Sequence, residues 1–449
     1  MPQHDGPRIG IVGGGLMGMA LARKLAVAGC EVTVLERGRQ VGGLATYHDY
    51  GVFFWDRFYH VILPSDRHLI RFVDELGLSD TLEWRRTYTG FYVDKCMHSI
   101  SNNLEFLRFP LLSLLSKLRL AWTMFYGSRI DDWQRLERMT VEDWLVRMSG
   151  RATYEKMWKP LLLAKLGENY RRVSAVFIWS YIKRMFSARH SAASKEQLGH
   201  VKGGYKAIFE RVCSEVERAR GRVLTGAVVS SIRPGAAGGM VLATDAGELT
   251  FDRVVCTSPV PVLRKLADPA MLHVRDGAGI VEYLGVVCVV VASRDPLAPY
   301  YVVNIADRDI PFTGVIGMTN VISRENTAGL HLAYLPKYVL PSDPFFRKSD
   351  EEILDLFMNG VRRMFPDFDM DSVESLHVNR AEQVQPLQVL NYSSIVPTVT
   401  TNHPDFFVLN TAQFVNATLN NNEVVGAVDR FYETHGHSLT RSAVSRSAG

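Results

Sequence analysis

Three glycines at Gly13-x-Gly15-x-x-Gly18, with Glu36 eighteen residues beyond the last, are the part of this sequence whose spacing points most directly to chemistry. A glycine turn that opens a helix leaves backbone N–H groups and the positive end of the helix dipole facing outward, where phosphate oxygens fit. Gly13 permits the tight turn, Gly15 lets a pyrophosphate approach the backbone, and Gly18 lets helix and strand pack closely. The first helical residues, Leu16 and Met17, supply the unpaired N–H groups. A carboxylate at Glu36 binds the two hydroxyls of an adenosine ribose and repels a 2′-phosphate, which favours FAD or NAD over NADP.

These residues need a strand, a helix and a second strand to hold them. Ile9–Val12 is a short apolar run suited to a buried parallel strand, Leu16–Ala28 carries helical spacing up to Gly29, and Glu31–Leu35 reads as the next strand. The unit predicts a doubly wound α/β dinucleotide fold.

Six residues beyond Glu36 stand Gly42 and Gly43, in Glu-Arg-Gly-Arg-Gln-Val-Gly-Gly-Leu-Ala. Here the sequence resembles the flavin-containing amine oxidase and protoporphyrinogen oxidase group, which includes phytoene-type desaturases; UDP-galactopyranose mutase is a more distant relative. The resemblance implies that Glu36, Arg37 and the Gly42–Gly43 pair follow the FAD pyrophosphate towards the flavin. Family members often carry Arg or Lys where this chain has Leu44. His200-Val-Lys-Gly-Gly-Tyr resembles the family's central glycine pair, opening a helix back to the FAD side. Arg222–Thr225, Ala227–Ile232 and Met240–Thr244 alternate like strands of a small meander, and the resemblance implies an adenine contact by the backbone of Val228 or Val229. Near the C-terminus, Phe406–Leu409 reads as a strand and Asn421 or Asn422 as the N-cap of a helix to about Tyr432. The resemblance places this helix end, with Asn422, Glu423 and Val424, against the flavin pyrimidine. The family's Gly-Asp after the strand is Asn410-Thr411 here, leaving the Thr411 hydroxyl for the ribityl chain.

The implied architecture is a Rossmann-type FAD-binding domain (residues 1–95, 196–265 and 401–449), a helical insert (96–195) and a mixed-sheet substrate domain (266–400). Gly279–Ala292, Leu330–Leu335 and Val373–Val378 read as strands of that sheet, and Ser349-Asp-Glu-Glu as a capping box for a helix ending before Pro366. Ordinary globular composition, 47% hydrophobic and 22% charged, excludes a disordered chain or a small disulfide scaffold.

A flavin brings its own reactivity, so no nucleophilic triad is required, and neither Gly-x-Ser-x-Gly nor His-Glu-x-x-His occurs. Candidates beside the flavin are Tyr59 and His60, the latter as acid or base near neutral pH, and Lys165, which could pair a substrate anion or hold water. The five cysteines are scattered and fit free thiols in a reducing compartment. His435 and His437 form the only close histidine pair, in what reads as a polar tail, and no metal site is expected. Residues 95–190 carry a net charge of +9 and the rest −5. Such a concentration suits an anionic partner, a phosphorylated substrate or a membrane surface. Segment 106–126, apolar with interspersed Arg and Lys, fits a buried helix pair or a peripheral membrane contact. No signal peptide, membrane-spanning run or nucleic-acid signature is read, which suggests a cytoplasmic protein.

The function expected is an FAD-dependent oxidoreductase removing a hydride from carbon of an anionic or amphipathic small molecule. A redox-neutral flavin-dependent nucleotide-sugar mutase and a non-catalytic dinucleotide-binding module are the alternatives.

Overall fold

The computed structural model describes residues 6–189, 197–272 and 280–440. Five strands form an all-parallel sheet in the order Phe406–Val408, Arg253–Cys256, Arg8–Val12, Glu31–Glu36, Arg222–Thr225. Helices Leu16–Val27, Gly204–Arg218 and Asn421–Thr440 contribute Leu21, Ile208 and Val428 to the apolar layer on this sheet. Parallel strands need cover on both faces, which explains their nearly continuous apolar sequence. The last helix runs well past Tyr432, where sequence spacing had ended it. His435 packs at a tilt against Phe407 and Phe431, so it belongs to packing and not to a polar tail.

Arg222–Thr225 is a correction. It pairs in parallel with Glu31–Glu36 and closes the sheet edge. The meander is built instead from Val229–Pro234, Met240–Thr244 and Gly247–Phe251. Alternation alone does not distinguish a sheet-edge strand from a meander strand.

The second sheet has seven strands in the order Val373–Pro386, Tyr283–Ser293, His331–Val339, Gly314–Gly317, Val302–Ile305, Thr89–Val93, Cys96–Ser99. Tyr283–Ser293 lies between the edge strand Val373–Pro386 and His331–Val339, with every residue buried; Gly279, where the sequence reading starts this strand, lies outside the described residues. The chain enters this sheet at Thr89, ahead of the expected division near residue 95. Helix Asp350–Met364 packs on the sheet and is opened by the Ser349–Glu352 capping box.

A helical layer packs against the mixed sheet at Leu284 and Tyr338 and has its own core, including Trp144, Tyr154, Leu162, Tyr170 and Trp179. Thr140 caps Val141–Ser149 by accepting from the Asp143 N–H at 3.1 Å, and its hydroxyl donates to the Asp143 carboxylate at 2.7 Å.

Candidate active site

A cavity of about 1660 Å³ lies between the parallel sheet, the mixed sheet and the helical layer. Pockets for drug-sized molecules span roughly 300–1,000 Å³, so this one has room for a dinucleotide and a second molecule.

The parallel-sheet side is bare backbone. Gly15 starts helix Leu16–Val27 with no side-chain cap, leaving first-turn N–H groups for a ligand. The two glycine turns are stacked: the Gly42 N–H donates to the Gly14 carbonyl at 2.8 Å, and Gly15 and Gly42 form a parallel bridge. A Cβ on Gly15 would meet only the Gly43 Cα at 4.0 Å, whereas one on Gly42, at φ 120°, would sit 2.7 Å from the Thr46 Cα. Gly18 lies behind the cavity, where its missing Cβ lets the helix rest on the Gly13 carbonyl. Glu36 faces the cavity while accepting from the Gly14 and Gly38 N–H groups, each at 2.7 Å.

Most of the residues singled out from sequence line this one cavity: Gly13, Gly15, Leu16, Met17, Glu36, Arg37, Gly42, Gly43, Leu44, Tyr59, His60, Lys165, Val228, Val229, Thr411 and Val424. Asn422 and Glu423 do not. Asn420 is the cap of the last helix, its Oδ1 accepting from the Glu423 N–H at 3.0 Å. Asn422 turns away to accept from the N–H groups of His68 and Leu69, serving the first turn of helix Arg67–Glu75. Three successive asparagines hid which one caps, and Asn420 and Asn421 are the two that reach the cavity wall. Both main-chain groups of Val228 are engaged, its N–H with the Asp245 carboxylate and its carbonyl with the Asp245 N–H. Asn410 spends its side chain on the backbone of Ala412 and Ser258, which leaves Thr411 to face the cavity.

The mixed-sheet side is made of side chains. Tyr59 and Tyr338 share a hydrogen bond of 2.7 Å, and Tyr59 meets Tyr334 edge-on. Burial and the neighbouring Tyr338 hold the Tyr59 phenol well above its usual range, so it stays protonated. His60 packs on Tyr205, and its Nδ1 is buried without a hydrogen-bond partner. Burial pulls His60 down to about 4, opposed by the nearby Phe58 backbone. The ring is therefore neutral at pH 7, which corrects the expectation that it titrates near neutrality. Lys165 places its Nζ 3.3 Å from the centre of the Tyr338 ring, and burial alone brings it down to about 7. No carboxylate among the described residues pairs with it. Helix Lys159–Leu166 carries Lys165 and places Leu161 and Leu162 beside it.

Sequence reading passed over Arg57, Tyr301, Tyr338 and Arg380 on this wall. Arg57 lies inside the quoted run Phe54–His60, and its guanidinium donates to Asn379 and the Arg380 carbonyl. Tyr334 and Tyr338 keep even spacing on strand His331–Val339, a signal available in the sequence. Six cationic residues, Arg37, Arg39, Arg57, Lys165, Lys265 and Arg380, face the cavity against Glu36 and Glu382.

The model of the flavin containing amine oxidoreductase family matches residues 16–386. The chain belongs to that family. It is an FAD-dependent oxidoreductase, and the flavoprotein fold is shared by solved structures of low identity. A provisionally assigned protoporphyrinogen oxidase from Exiguobacterium sp. 255-15 is 17% identical, with a TM-score of 0.74 over 96% of this chain and 99% of that one. An oxidoreductase from Methanosarcina mazei is 20% identical, with a TM-score of 0.74 over 95% and 100%. Putrescine oxidase bound to putrescine is 15% identical, with a TM-score of 0.71 over 96% and 99%. A comparison with curated protein sequences finds no match.

Proposed function

We propose that this flavoprotein removes a hydride from carbon of a small molecule with an apolar body and an anionic group, by oxidation or desaturation. The observation that carries the reading is Lys165, set on an aromatic wall of the cavity with no carboxylate among the described residues paired with it. An unpaired buried cation is costly, and an anionic ligand relieves that cost. Putrescine, the diamine bound in one similar structure, carries two positive charges at neutral pH and would meet Lys165 and Arg57.

The cradle fits the cofactor. Gly13, Gly15, Gly42 and Gly43, with the free N–H groups of Leu16 and Met17, would hold the FAD pyrophosphate, and the lone pairs of Glu36 not used by Gly14 and Gly38 would take ribose hydroxyls. Val228 and Val229 would border adenine, and Thr411 and Val424 the flavin end. Bound FAD supplies hydride acceptance. Tyr59, fixed by Tyr338, and neutral His60 would shape the wall and exclude water. Lys165 would pair the substrate anion and fix which carbon is presented. We also infer that the chain meets a membrane peripherally through 106–126, and the apolar side chains exposed there support this.

The test is perturbation of the flavin band by decanoate, titrated anaerobically. With Lys165 titrating at about 7, binding is expected to be about tenfold tighter at pH 6 than at pH 8, and Lys165→Met should abolish that difference. Reduction of the flavin by diamines, with no response to carboxylates at either pH, would refute the reading.

A further inference from the structure

Helix Leu114–Ser128 is amphipathic the wrong way round. Towards the protein it buries Lys117, Leu120, Thr123 and Gly127. Towards solvent it shows Leu114, Leu115, Leu118, Trp122, Phe125 and Tyr126, between 44% and 68% exposed. A surface helix normally does the reverse. The arrangement is firmly built: Ser113 caps the helix, and the buried Lys117 ammonium donates to the Leu107 carbonyl at 2.6 Å, tying it to the preceding helix Asn103–Arg108. Leu104 and Leu107 of that helix are exposed as well, at 56% and 54%. So many large apolar groups on two adjacent helices make a patch rather than scattered exposure.

Charge selects the occupant. Helix Leu114–Ser128 contains no Asp or Glu, and Arg108 and Arg129 are exposed beside it, while Arg119 donates to the Arg147 carbonyl at 3.4 Å. Of the nearby acids, Glu105 is held by Ser99, Ser101 and Asn102, and Asp131, exposed with Asp132 just after Arg129, pairs with Lys183 at 2.9 Å. Trp122 stacks on Tyr126 at 5.9 Å, and Arg129 lies over Phe125. Aromatic rings beside cations over an apolar stripe suit the headgroup level of a bilayer. No helix among the described residues is long and apolar enough to cross a membrane, so the contact is a surface one. Phe125 also meets Phe186 of helix Val176–Arg189, whose Phe177, Ile178 and Tyr181 line the cavity.

We propose that Leu114–Ser128 and Asn103–Arg108 form a docking face for an anionic lipid surface, with the eight outward apolar side chains entering the acyl boundary and Arg108 and Arg129 pairing with headgroup phosphates. The proposal rests on the reading of 106–126 as a membrane contact and adds to it the lipid charge and the residues.

The holoprotein is mixed with vesicles of phosphatidylcholine alone or with phosphatidylglycerol added, and bound protein is measured by flotation. Binding to the anionic vesicles is expected, weakening as salt is raised and falling about tenfold or more in Leu115→Glu/Leu118→Glu/Trp122→Glu. Arg108→Glu/Arg129→Glu should lose the preference for phosphatidylglycerol. These side chains are exposed, and an unchanged melting temperature checks that each variant folds. Equal binding to both vesicle types overturns the lipid charge and leaves the membrane contact standing. No binding to either overturns both. So does light scattering that shows a dimer broken by the triple variant while vesicles are ignored. Flavin content, read in the same samples, separates all of these outcomes from a failure of the cofactor reading.

Discussion

Gly15 and Gly18 are spaced like one motif, yet the structure gives them opposite duties, and one added methyl group tells them apart. At Gly15 the backbone is extended, φ −67° and ψ 173°, and a Cβ would have 4.0 Å to the nearest atom, the Gly43 Cα. Gly15→Ala should therefore fold, losing about 0.5–1 kcal/mol because Ala is a poorer N-cap than Gly. Its methyl points into the space an anion must enter to reach the helix N–H groups. Charge-assisted hydrogen bonds contribute about 1.5–3 kcal/mol each. Losing two would weaken FAD by about 3–6 kcal/mol, roughly a hundredfold to ten-thousandfold. At Gly18 the Cβ would sit 3.2 Å from the Gly13 carbonyl carbon and 3.1 Å from the Thr257 hydroxyl, and far inside contact with the Gly13 oxygen. Main chain cannot rotate away as a side chain does, so Gly18→Ala should cost the apoprotein at least about 1–3 kcal/mol. The assay is a thermal melt of each apoprotein beside an FAD titration followed by flavin fluorescence. The reasoning fails if folded Gly15→Ala keeps wild-type affinity, or if Gly18→Ala apoprotein melts with the wild type.

Two other buried groups give pH signatures. His60 titrates at about 4 in the folded chain and at about 6.5 when unfolded, so the unfolded state binds the extra proton and stability falls as pH drops through that window. The melting temperature of His60→Gln should fall less between pH 7 and pH 4.5 than that of the wild type. Asp56 is buried and pushed up to about 8, with Oδ1 accepting the Tyr205 N–H at 2.8 Å at the start of helix Gly204–Arg218. The folded state therefore holds the extra proton between about 4 and 8, and stability falls as pH rises across that range. Asp56→Asn keeps the acceptor and should remove this decline, whereas Asp56→Ala strands the N–H and should cost about 1–3 kcal/mol at pH 7 by denaturant unfolding.

Local geometry decides how much of this site was legible in the sequence. The Gly13–Gly18 turn, its helix and Glu36 are contiguous, and the glycine spacing is set by steric needs within a few residues. The mixed-sheet wall is different: Arg57, Tyr59, Lys165, Tyr338 and Arg380 come from segments far apart in the chain and meet only after the sheet closes. Residue type alone singles out Lys165, but its aromatic neighbour lies on a strand that propensity cannot register against helix Lys159–Leu166. The three asparagines at 420–422 show a finer limit, since every one of them can cap a helix. Only the position of helix Arg67–Glu75 decides that Asn422 caps a neighbour.

Glu36 makes the case against reading a motif residue by residue. Its carboxylate closes the donors of Gly14 and Gly38, so an acid at this position has a structural reason to exist with or without a ribose. The same acid is compatible with NAD and FAD. What separates them is the second turn, where the Gly42 N–H reaches the Gly14 carbonyl and a Cβ on Gly43 would come within 3.2 Å of the Gly15 Cα. Two strips of backbone are thereby laid together along one wall, and the strip added by Gly42 and Gly43 carries the bare surface beyond the first turn. FAD continues past the pyrophosphate with a ribityl chain and a three-ring flavin, longer than the nicotinamide riboside of NAD, and it makes use of that added length. The discriminating feature is the contact between two glycine turns, a property of the fold that neither turn carries alone.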